Sequence, residues 1–234
     1  MGEIIQSSFR APLGLRNPHL QTLWGPLGRK LPEVQHQQER LELPDGDYLQ
    51  LDWAGPDRRP GQLTVILLHG LSGCSDSHYM RGFQKTFADA GIRSVAINSR
   101  GAKQPNDTAL CYHAGETDDV DAVIEHVFHQ DPTGHRLAIG VSLGGSRLLN
   151  WLAHRDSGRL SGVATVCSPL RLDICANRLD RGLSRMYRQH LIKALLENFA
   201  GKKRHLDQVN PPEAKRLYRL DMTGIRSFWR YDDQ

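Results

Sequence analysis

The sequence predicts an α/β fold built around a mostly parallel β-sheet. Short apolar runs of strand length recur along the first 170 residues, and continuous runs of this kind are typical of strands buried on both faces of a parallel sheet. Segments with helical spacing of apolar residues alternate with these runs, as in β-α-β units with right-handed crossovers. The chain has 234 residues, of which 39% are hydrophobic and 24% charged, so it can bury a core of this kind.

The predicted strands are short and are bounded by turn residues. The first two are joined at Pro44-Asp45-Gly46, a turn signal. The third, LTVILLH, is apolar almost throughout and ends at His69-Gly70. Three later segments, RSVAIN, RLAIGV and GVATVC, have the same buried character. The six predicted strands are 38–43, 48–53, 63–69, 93–98, 136–141 and 162–167.

Helices are predicted between these strands and beyond the last one. Apolar residues at helical spacing predict a helix over 77–90, with Gly91 as its C-terminal cap. Thr117 is expected to cap a second helix, whose first turn carries three aspartates that suit the positive end of the helix dipole. Further helices are predicted over 143–154, 173–198 and 212–220.

This pattern divides the chain into three parts. Residues 1–35 are rich in Pro and Gly and lack clear periodicity, so we expect an irregular arm that wraps the body. Residues 36–170 form the α/β core. Residues 171–234 are predicted to be a helical cap segment, because no clear buried strand occurs in them.

Basic charge is concentrated in the cap segment. The whole chain has a net charge of +4, whereas residues 171–234 have 14 basic and 8 acidic residues, a net charge of +6. Solvated helix faces account for such a bias, and the alternative is a surface that attracts anionic substrates or lipid headgroups through a weak peripheral contact. Nucleic-acid binding would rest on Lys202-Lys203-Arg204, which lack neighbouring aromatic stacking platforms, so no nucleic-acid partner is predicted.

Cysteine usage and the N-terminus predict a cytoplasmic location. No apolar stretch approaches the ~20 residues that span a bilayer, and the first residues lack the apolar core of a signal peptide. The cysteines show no C-x-x-C spacing, and no histidine cluster completes a zinc pattern, so neither a metal nor another cofactor is expected. The four are Cys74, Cys111, Cys167 and Cys175.

The main chemical signal is Gly140-Val141-Ser142-Leu143-Gly144, between a predicted buried strand and a predicted helix. This is the nucleophile-elbow pattern in its expected context. The turn is so sharp that side chains two residues to either side of Ser142 would collide with the neighbouring chain. The serine hydroxyl is thereby exposed at the carboxyl end of the sheet, and the following helix N-terminus directs amides at developing negative charge. Ser142 is therefore the predicted catalytic nucleophile.

A second motif, His69-Gly70-Leu71-Ser72-Gly73, follows an earlier buried strand. Acyl transfer needs two amide donors for the oxyanion. We expect the backbone N–H of Leu143 to supply one and that of Leu71 to supply the other. His69 is expected to hold this loop by hydrogen bonds rather than to act as a base.

These motifs and several longer stretches resemble the α/β-hydrolase fold. The finer match is to its YheT-like branch, which groups bacterial proteins named as esterases with eukaryotic abhydrolase-domain lipases and acyltransferases. The resemblance covers most of residues 9–170 and implies serine-dependent cleavage or transfer of carboxylic esters, with Ser142 at the family nucleophile position. Residues 17–22 and Arg100-Gly101 match family positions that either shape the pocket mouth or brace the arm. The matching stretches are FRAPLGLRNPHLQTLWGPL, LLHGLSGCSDSHYMRGF, INSRGAKQPN, CYHAGETDDVDAVIEHV and GVSLGGSRLLNWLA.

A serine nucleophile needs a base and an orienting acid, which in this fold follow the serine in the order Asp or Glu, then His. The family places them after two further strands, and we find neither strand. His154 would lie roughly 18 Å from Ser142 along a helix, and His190 and His205 fall in predicted cap helices. No acid or base is assigned. We therefore expect a chain that is C-terminally truncated relative to a working enzyme, with both groups beyond Gln234.

Two function classes remain open at this point. The first is a serine-dependent carboxylic ester hydrolase that acts on a small ester or an acyl lipid through an acyl-enzyme, which could also pass the acyl group to an alcohol. The second is an inactive truncated remnant or a non-catalytic binding module that keeps the elbow without a base.

Overall fold

The computed structural model describes residues 2–155, 157–209, 211 and 214–232, which contain a six-stranded sheet with helices on both faces. The strand order is β1-β2-β4-β3-β5-β6. The strands are β1 (Gln37–Glu42), β2 (Tyr48–Ala54), β3 (Leu63–Leu68), β4 (Arg93–Asn98), β5 (His135–Val141) and β6 (Gly162–Val166).

Four neighbouring strands of the sheet are parallel, which places their carboxyl ends at one edge. β3 pairs in parallel with β4 and with β5, and β5 pairs in parallel with β6. β1 and β2 complete the sheet as antiparallel strands. In this register Leu68 lies opposite both Ile97 and Gly140, so the loops after β3, β4 and β5 start side by side.

Eight α-helices occur in the described residues. Three of them, α2, α3 and α4, follow strands of the sheet, as the β-α-β pattern predicts. The helices are α1 (Pro18–Gly28), α2 (His78–Asp89), α3 (Asp118–Gln130), α4 (Leu143–His154), α5 (Leu172–Leu179), α6 (Ser184–Val209), α7 (Ala214–Tyr218) and α8 (Phe228–Asp232).

The core lies on both faces of the sheet, because successive side chains of a strand point to opposite faces. Ile66 and Leu68 of β3 pack in one cluster with residues of α3 and α4, including Leu148 and Trp151. The alternate β3 residues Val65 and Leu67 pack on the other face, in a cluster that includes Met80 and the partly buried phenylalanines of α2. β3 is therefore buried on both faces, as its continuous apolar run predicts.

The N-terminal arm is more regular than its composition suggests. Residues 1–35 were expected to be irregular, but α1 occupies Pro18–Gly28. Asn17 is the N-cap, and its Oδ1 accepts a hydrogen bond from the His19 N–H at 2.9 Å. Asn followed by Pro is a recognised helix-start signal, so the sequence did carry this helix. The prediction of an irregular arm is wrong for this stretch.

The cap segment also differs in detail from the prediction. The single helix predicted over 173–198 is two helices, α5 and α6, because the chain turns near Gly182, whose φ of +54° favours glycine. In the helix predicted over 212–220, α7 begins at Ala214, and Pro212 lies outside the described residues. Asp233 and Gln234, the end of the predicted segment, also lie outside them.

Polar contacts join α6 to the loop that precedes α3. Lys202 is buried in α6, and its Nζ donates to Asn106 Oδ1 at 2.9 Å. His205 Nε2 lies 2.8 Å from a carboxylate oxygen of Asp107. A small apolar cluster of α6 and α7, which includes Leu206 and Leu217, packs beside these contacts. The cap segment is thus attached mainly through one stretch of the core.

Within the described part of the chain, the sheet ends at β6. Val166 of β6 is 42% exposed, and no strand of the described residues lies beyond it. In the same residues, no helix is both long enough and apolar enough to cross a membrane.

Candidate active site

Ser142 lies at the sharp turn between β5 and α4. Its backbone has φ +52° and ψ −122°, a strained conformation for any residue other than glycine. The Ser142 N–H donates to the Val166 carbonyl of β6 at 2.8 Å, which holds the turn against the neighbouring strand. The side chain is only partly buried, and within the described residues its hydroxyl has no hydrogen-bond partner. A serine at a strained turn from strand to helix is the arrangement that the nucleophile-elbow motif predicts.

The glycines of this turn permit its close packing. A Cβ at Gly140 would lie 2.5 Å from the Gly145 Cα and 2.6 Å from the Gly144 carbonyl oxygen. A Cβ at Gly144 would lie 2.6 Å from the Leu68 carbonyl oxygen of β3. These contacts are with backbone atoms, which cannot move aside cheaply. Side chains two residues to either side of Ser142 would therefore collide with neighbouring backbone, as the sequence predicts.

The loop after β3 lies directly against Ser142. A Cβ at Gly70 would lie 3.1 Å from the Ser142 Cβ. Two backbone amides flank this position, that of Leu71 in the loop and that of Leu143 at the first position of α4. Neither N–H donates to another of the described residues. Two free amides beside a serine hydroxyl have the donor set of an oxyanion hole.

His69 has a structural role beside this loop. Its Nδ1–H donates to the Gly70 carbonyl at 2.7 Å, and its Nε2 accepts from the Ser99 N–H at 3.1 Å. Burial lowers the pKa of this imidazole from 6.5 to about 4, so the ring is neutral at physiological pH. Both nitrogens are occupied by backbone partners, and His69 is not available as a base.

Two tyrosines that the sequence analysis did not single out hold the same loop. Tyr79 of α2 accepts a hydrogen bond from the Gly70 N–H at 2.9 Å, and Tyr112 accepts one from the Ser72 N–H at 2.8 Å. The Tyr112 ring also packs edge-on against His69, with ring centroids 5.6 Å apart. No short spacing rule links these tyrosines to the loop, because α2 and the loop before α3 bring them there only in the folded chain.

Other candidate residues lie away from the serine. Arg100 is 8% exposed and pairs with Asp119 at 2.7 Å and Asp47 at 3.0 Å, so it braces the carboxyl ends of the strands. In the arm, His19 Nδ1 lies 2.9 Å from the hydroxyl of Tyr187 and connects α1 to α6. Both positions fit the bracing role rather than direct contact with Ser142.

No histidine in the described residues is hydrogen-bonded to Ser142. The His154 Nδ1 bonds to the Asn150 carbonyl at the far end of α4, and His205 pairs with Asp107. His190 is exposed on α6. The described residues therefore bring together a serine and two backbone amides without a partner among them, and they place no imidazole within hydrogen-bonding distance of the serine hydroxyl. They also contain no group of three or more His, Cys, Asp or Glu arranged to hold a metal ion.

Comparison with known proteins identifies the family of the chain. Residues 64–230 match a protein-family profile described as "alpha/beta hydrolase fold". The chain is 32% identical over 192 residues to "Putative esterase YheT" of Escherichia coli (strain K12), covering 81% of this chain and 56% of that protein. It is 31% identical over 194 residues to the human "Phospholipase ABHD3", covering 80% of this chain and 47% of that protein.

Solved structures show the same fold at lower identity. An esterase of Pyrococcus furiosus, PF2001, superposes with a TM-score of 0.54 at 18% identity, covering 73% of this chain and 67% of that chain. The present chain spans about half the length of the two curated relatives described above. The family profile covers well over half of the present chain, and the elbow lies within it. The chain belongs to the α/β-hydrolase family, in which its relatives include proteins named as esterases and phospholipases.

Proposed function

We propose that the chain is a serine-dependent carboxylic ester hydrolase with Ser142 as its nucleophile. One observation carries the proposal: Ser142 is held at a strained turn, and among the described residues neither its hydroxyl nor the nearby amides of Leu71 and Leu143 have a partner. Backbone strain at Ser142 is a cost that a purely structural turn would avoid. The names of the relatives, esterase and phospholipase, support the same reaction class.

The proposed reaction begins with attack of Ser142 Oγ on the ester carbonyl carbon, as the serine proton passes to a general base. The carbonyl oxygen becomes an oxyanion that accepts hydrogen bonds from Leu71 and Leu143. Collapse of this intermediate breaks the C–O bond to the alcohol, which leaves with the proton. Water then cleaves the acyl ester on Ser142, and an alcohol in its place would give acyl transfer.

We further propose acyl lipids as the substrate class. The Ser146 hydroxyl holds the Pro169 carbonyl at 2.9 Å, so the segment leading into α5 starts beside the elbow. Leu172 and Ile174 of α5 are exposed, and so are Leu20 and Trp24 of α1. Exposed apolar side chains on two elements are suited to contact with acyl chains. The basic charge of residues 171–234 would add a weak attraction to anionic headgroups.

A non-catalytic binding module is the second candidate. It is favoured by the absence, in the described residues, of any imidazole bonded to Ser142. A serine without a base is a poor nucleophile. The two candidates therefore differ in a property that can be measured directly, the reactivity of Ser142 toward an ester-like electrophile.

The test is labelling of the 234-residue chain with a fluorophosphonate probe, followed by hydrolysis of p-nitrophenyl esters of increasing acyl length. The proposal expects labelling of the wild type, loss of labelling in Ser142→Ala, and faster hydrolysis of longer acyl chains. Ser161→Ala is the matched control, since this exposed serine precedes β6 at the opposite end of the sheet. Wild-type protein that folds but takes no label would overturn the hydrolase for this chain and support an inactive remnant or a non-catalytic binding module.

A further inference from the structure

In the loop after β3, two backbone amides donate hydrogen bonds to tyrosines, and the amide between them does not. The N–H of Gly70 and the N–H of Ser72 each donate to a tyrosine hydroxyl, at 2.9 and 2.8 Å. The N–H between them, that of Leu71, has no partner among the described residues. Leu71 is partly buried, and most backbone N–H groups of folded proteins have a partner. The Leu71 N–H is therefore available to a bound group, whereas the N–H groups on either side of it are not.

The rest of the loop is held equally firmly. The Gly70 carbonyl accepts from the Gly73 N–H at 3.1 Å and from His69 Nδ1 at 2.7 Å. Ser72 has φ +56°, a left-handed conformation that serine does not adopt without support. These contacts leave the peptide group that carries the Leu71 N–H little freedom to rotate.

The two tyrosines come from different elements and are themselves well supported. Tyr79 is at the start of α2, packed edge-on to His78 with ring centroids 5.3 Å apart. Tyr112 belongs to the loop before α3, where the Arg147 guanidinium lies 5.7 Å from the centroid of its ring. Burial raises the pKa of both phenols, that of Tyr112 to about 12, so both hydroxyls are neutral acceptors at physiological pH.

We infer that Tyr79 and Tyr112 act as a pair of positioning residues that clamp the amides on either side of Leu71 and so direct the Leu71 N–H at the oxyanion. The inference rests on the proposed ester hydrolysis and adds to it two residues that touch no reacting atom. A clamp of this kind orients the donor before the reaction begins, which is where oxyanion stabilisation obtains its effect. Removal of one hydroxyl would let the peptide rotate and misalign the donor.

The first measurement is independent of catalysis. In Tyr112→Phe, amide hydrogen exchange followed by NMR is expected to be at least about tenfold faster at Ser72 and unchanged at Gly70. Tyr79→Phe is expected to give the converse pattern. Tyr48→Phe is the matched control, because the Tyr48 hydroxyl donates to the Pro105 carbonyl at 2.8 Å, outside the loop. Equal exchange in all three variants would overturn the clamp.

The second measurement separates positioning from a general structural role. Each clamp variant is expected to lower kcat, or the maximal rate of fluorophosphonate labelling, about tenfold while KM or the probe affinity stays constant. We expect kcat to change and KM to stay constant because the Leu71 N–H binds the oxyanion, which forms in the transition state and is absent from the bound substrate. A purely structural role would instead lower Tm and speed exchange throughout the loop with kcat and KM unaffected at temperatures where the variants are folded.

The outcomes distinguish the inference from the proposed function. A wild type that takes no label overturns the hydrolase, and the exchange pattern still decides whether the tyrosines hold the loop. A labelled wild type whose Tyr79→Phe and Tyr112→Phe variants label equally fast overturns the inference and leaves the hydrolase intact. The double variant is expected to lose more than either single variant and to keep Ser142 as the labelled residue.

Discussion

The α/β core and the cap segment use helices in different ways. In the core, α3 packs Val120, Val123 and Ile124 against the sheet with 0% exposure, and α4 buries Leu148 and Trp151 equally completely. In the cap, α6 has 26 residues and buries few of them, including the polar Ser184 and Lys202. A cleft of about 490 Å³ runs along α6 beside Ile225 and Arg226.

This difference explains where the candidate site is built. The serine, the oxyanion loop and the two tyrosines all depend on elements that pack on the sheet, whose position is determined by many buried contacts. The cap is attached by a few polar contacts and a small apolar cluster. We therefore expect the geometry of the candidate site to depend more on the core than on the cap.

The largest expected effect contrasts one glycine of the core with one of the cap. Gly144→Ala is expected to destabilise the protein by about 4 kcal/mol, because its Cβ would strike the backbone of β3. Gly201→Ala is the matched change in α6, where the nearest atom to the new Cβ is 3.9 Å away. It is expected to stabilise by about 0.5–1 kcal/mol through helix propensity. Urea denaturation measures both, and similar effects at the two sites would contradict the comparison.

The second effect concerns acid stability of the core. His69 has a pKa of about 4 when folded, against 6.5 ordinarily, so below pH 6.5 the unfolded chain binds a proton that the folded chain does not. Stability is fully present above pH 6.5 and is lost as the pH falls toward about 4, by about 3 kcal/mol. Denaturation midpoints between pH 7.5 and 4.5 should show a steeper loss for the wild type than for His69→Gln.

The control for that experiment lies in the cap. His190 is exposed on α6, so His190→Gln is the matched loss of an imidazole outside the core. If His69→Gln and the wild type lose stability in parallel, the neutral, buried state of His69 is refuted.

The smallest of the three effects tests the attachment of the cap. Lys202→Met would leave Asn106 Oδ1 and the Leu110 carbonyl without their buried donor, which is expected to cost about 2 kcal/mol. We expect α6 to become more susceptible to limited proteolysis while labelling of Ser142 persists. Lys193→Met is the matched control, since the Lys193 side chain is 76% exposed. If stability and proteolysis of Lys202→Met equal those of the wild type, the apolar cluster around Leu206, and not Lys202, attaches the cap to the core.

Much of the core was predictable because local patterns there agree with the tertiary structure. The apolar runs LTVILLH and RSVAIN predict buried strands. They form β3 and β4, which are buried on both faces. Gly91, the predicted C-terminal cap of α2, has φ +72° and directly follows Ala90, which is the C-cap in the structure. The elbow could be recognised because its chemistry is local: five consecutive residues form the whole turn.

The remaining differences have physical causes. α1 was missed because Pro and Gly in the arm outweighed the Asn17-Pro18 start signal, and Pro26 lies inside the helix. The break between α5 and α6 depends on one glycine whose positive φ the sequence does not reveal. The roles of Tyr79 and Tyr112 depend on contacts between residues 9 and 40 positions apart, and spacing rules do not reach that far.

The sequence by itself determined the fold class, the position of the candidate nucleophile and the two motifs that flank it, because each depends on residues that are neighbours along the chain. Only the tertiary structure decided which side chains hold the oxyanion loop, that His69 is buried and neutral, and that Lys202 joins the cap to the core. Those features arise where distant segments meet, and the burial and hydrogen bonds made there set the protonation state and orientation of each group.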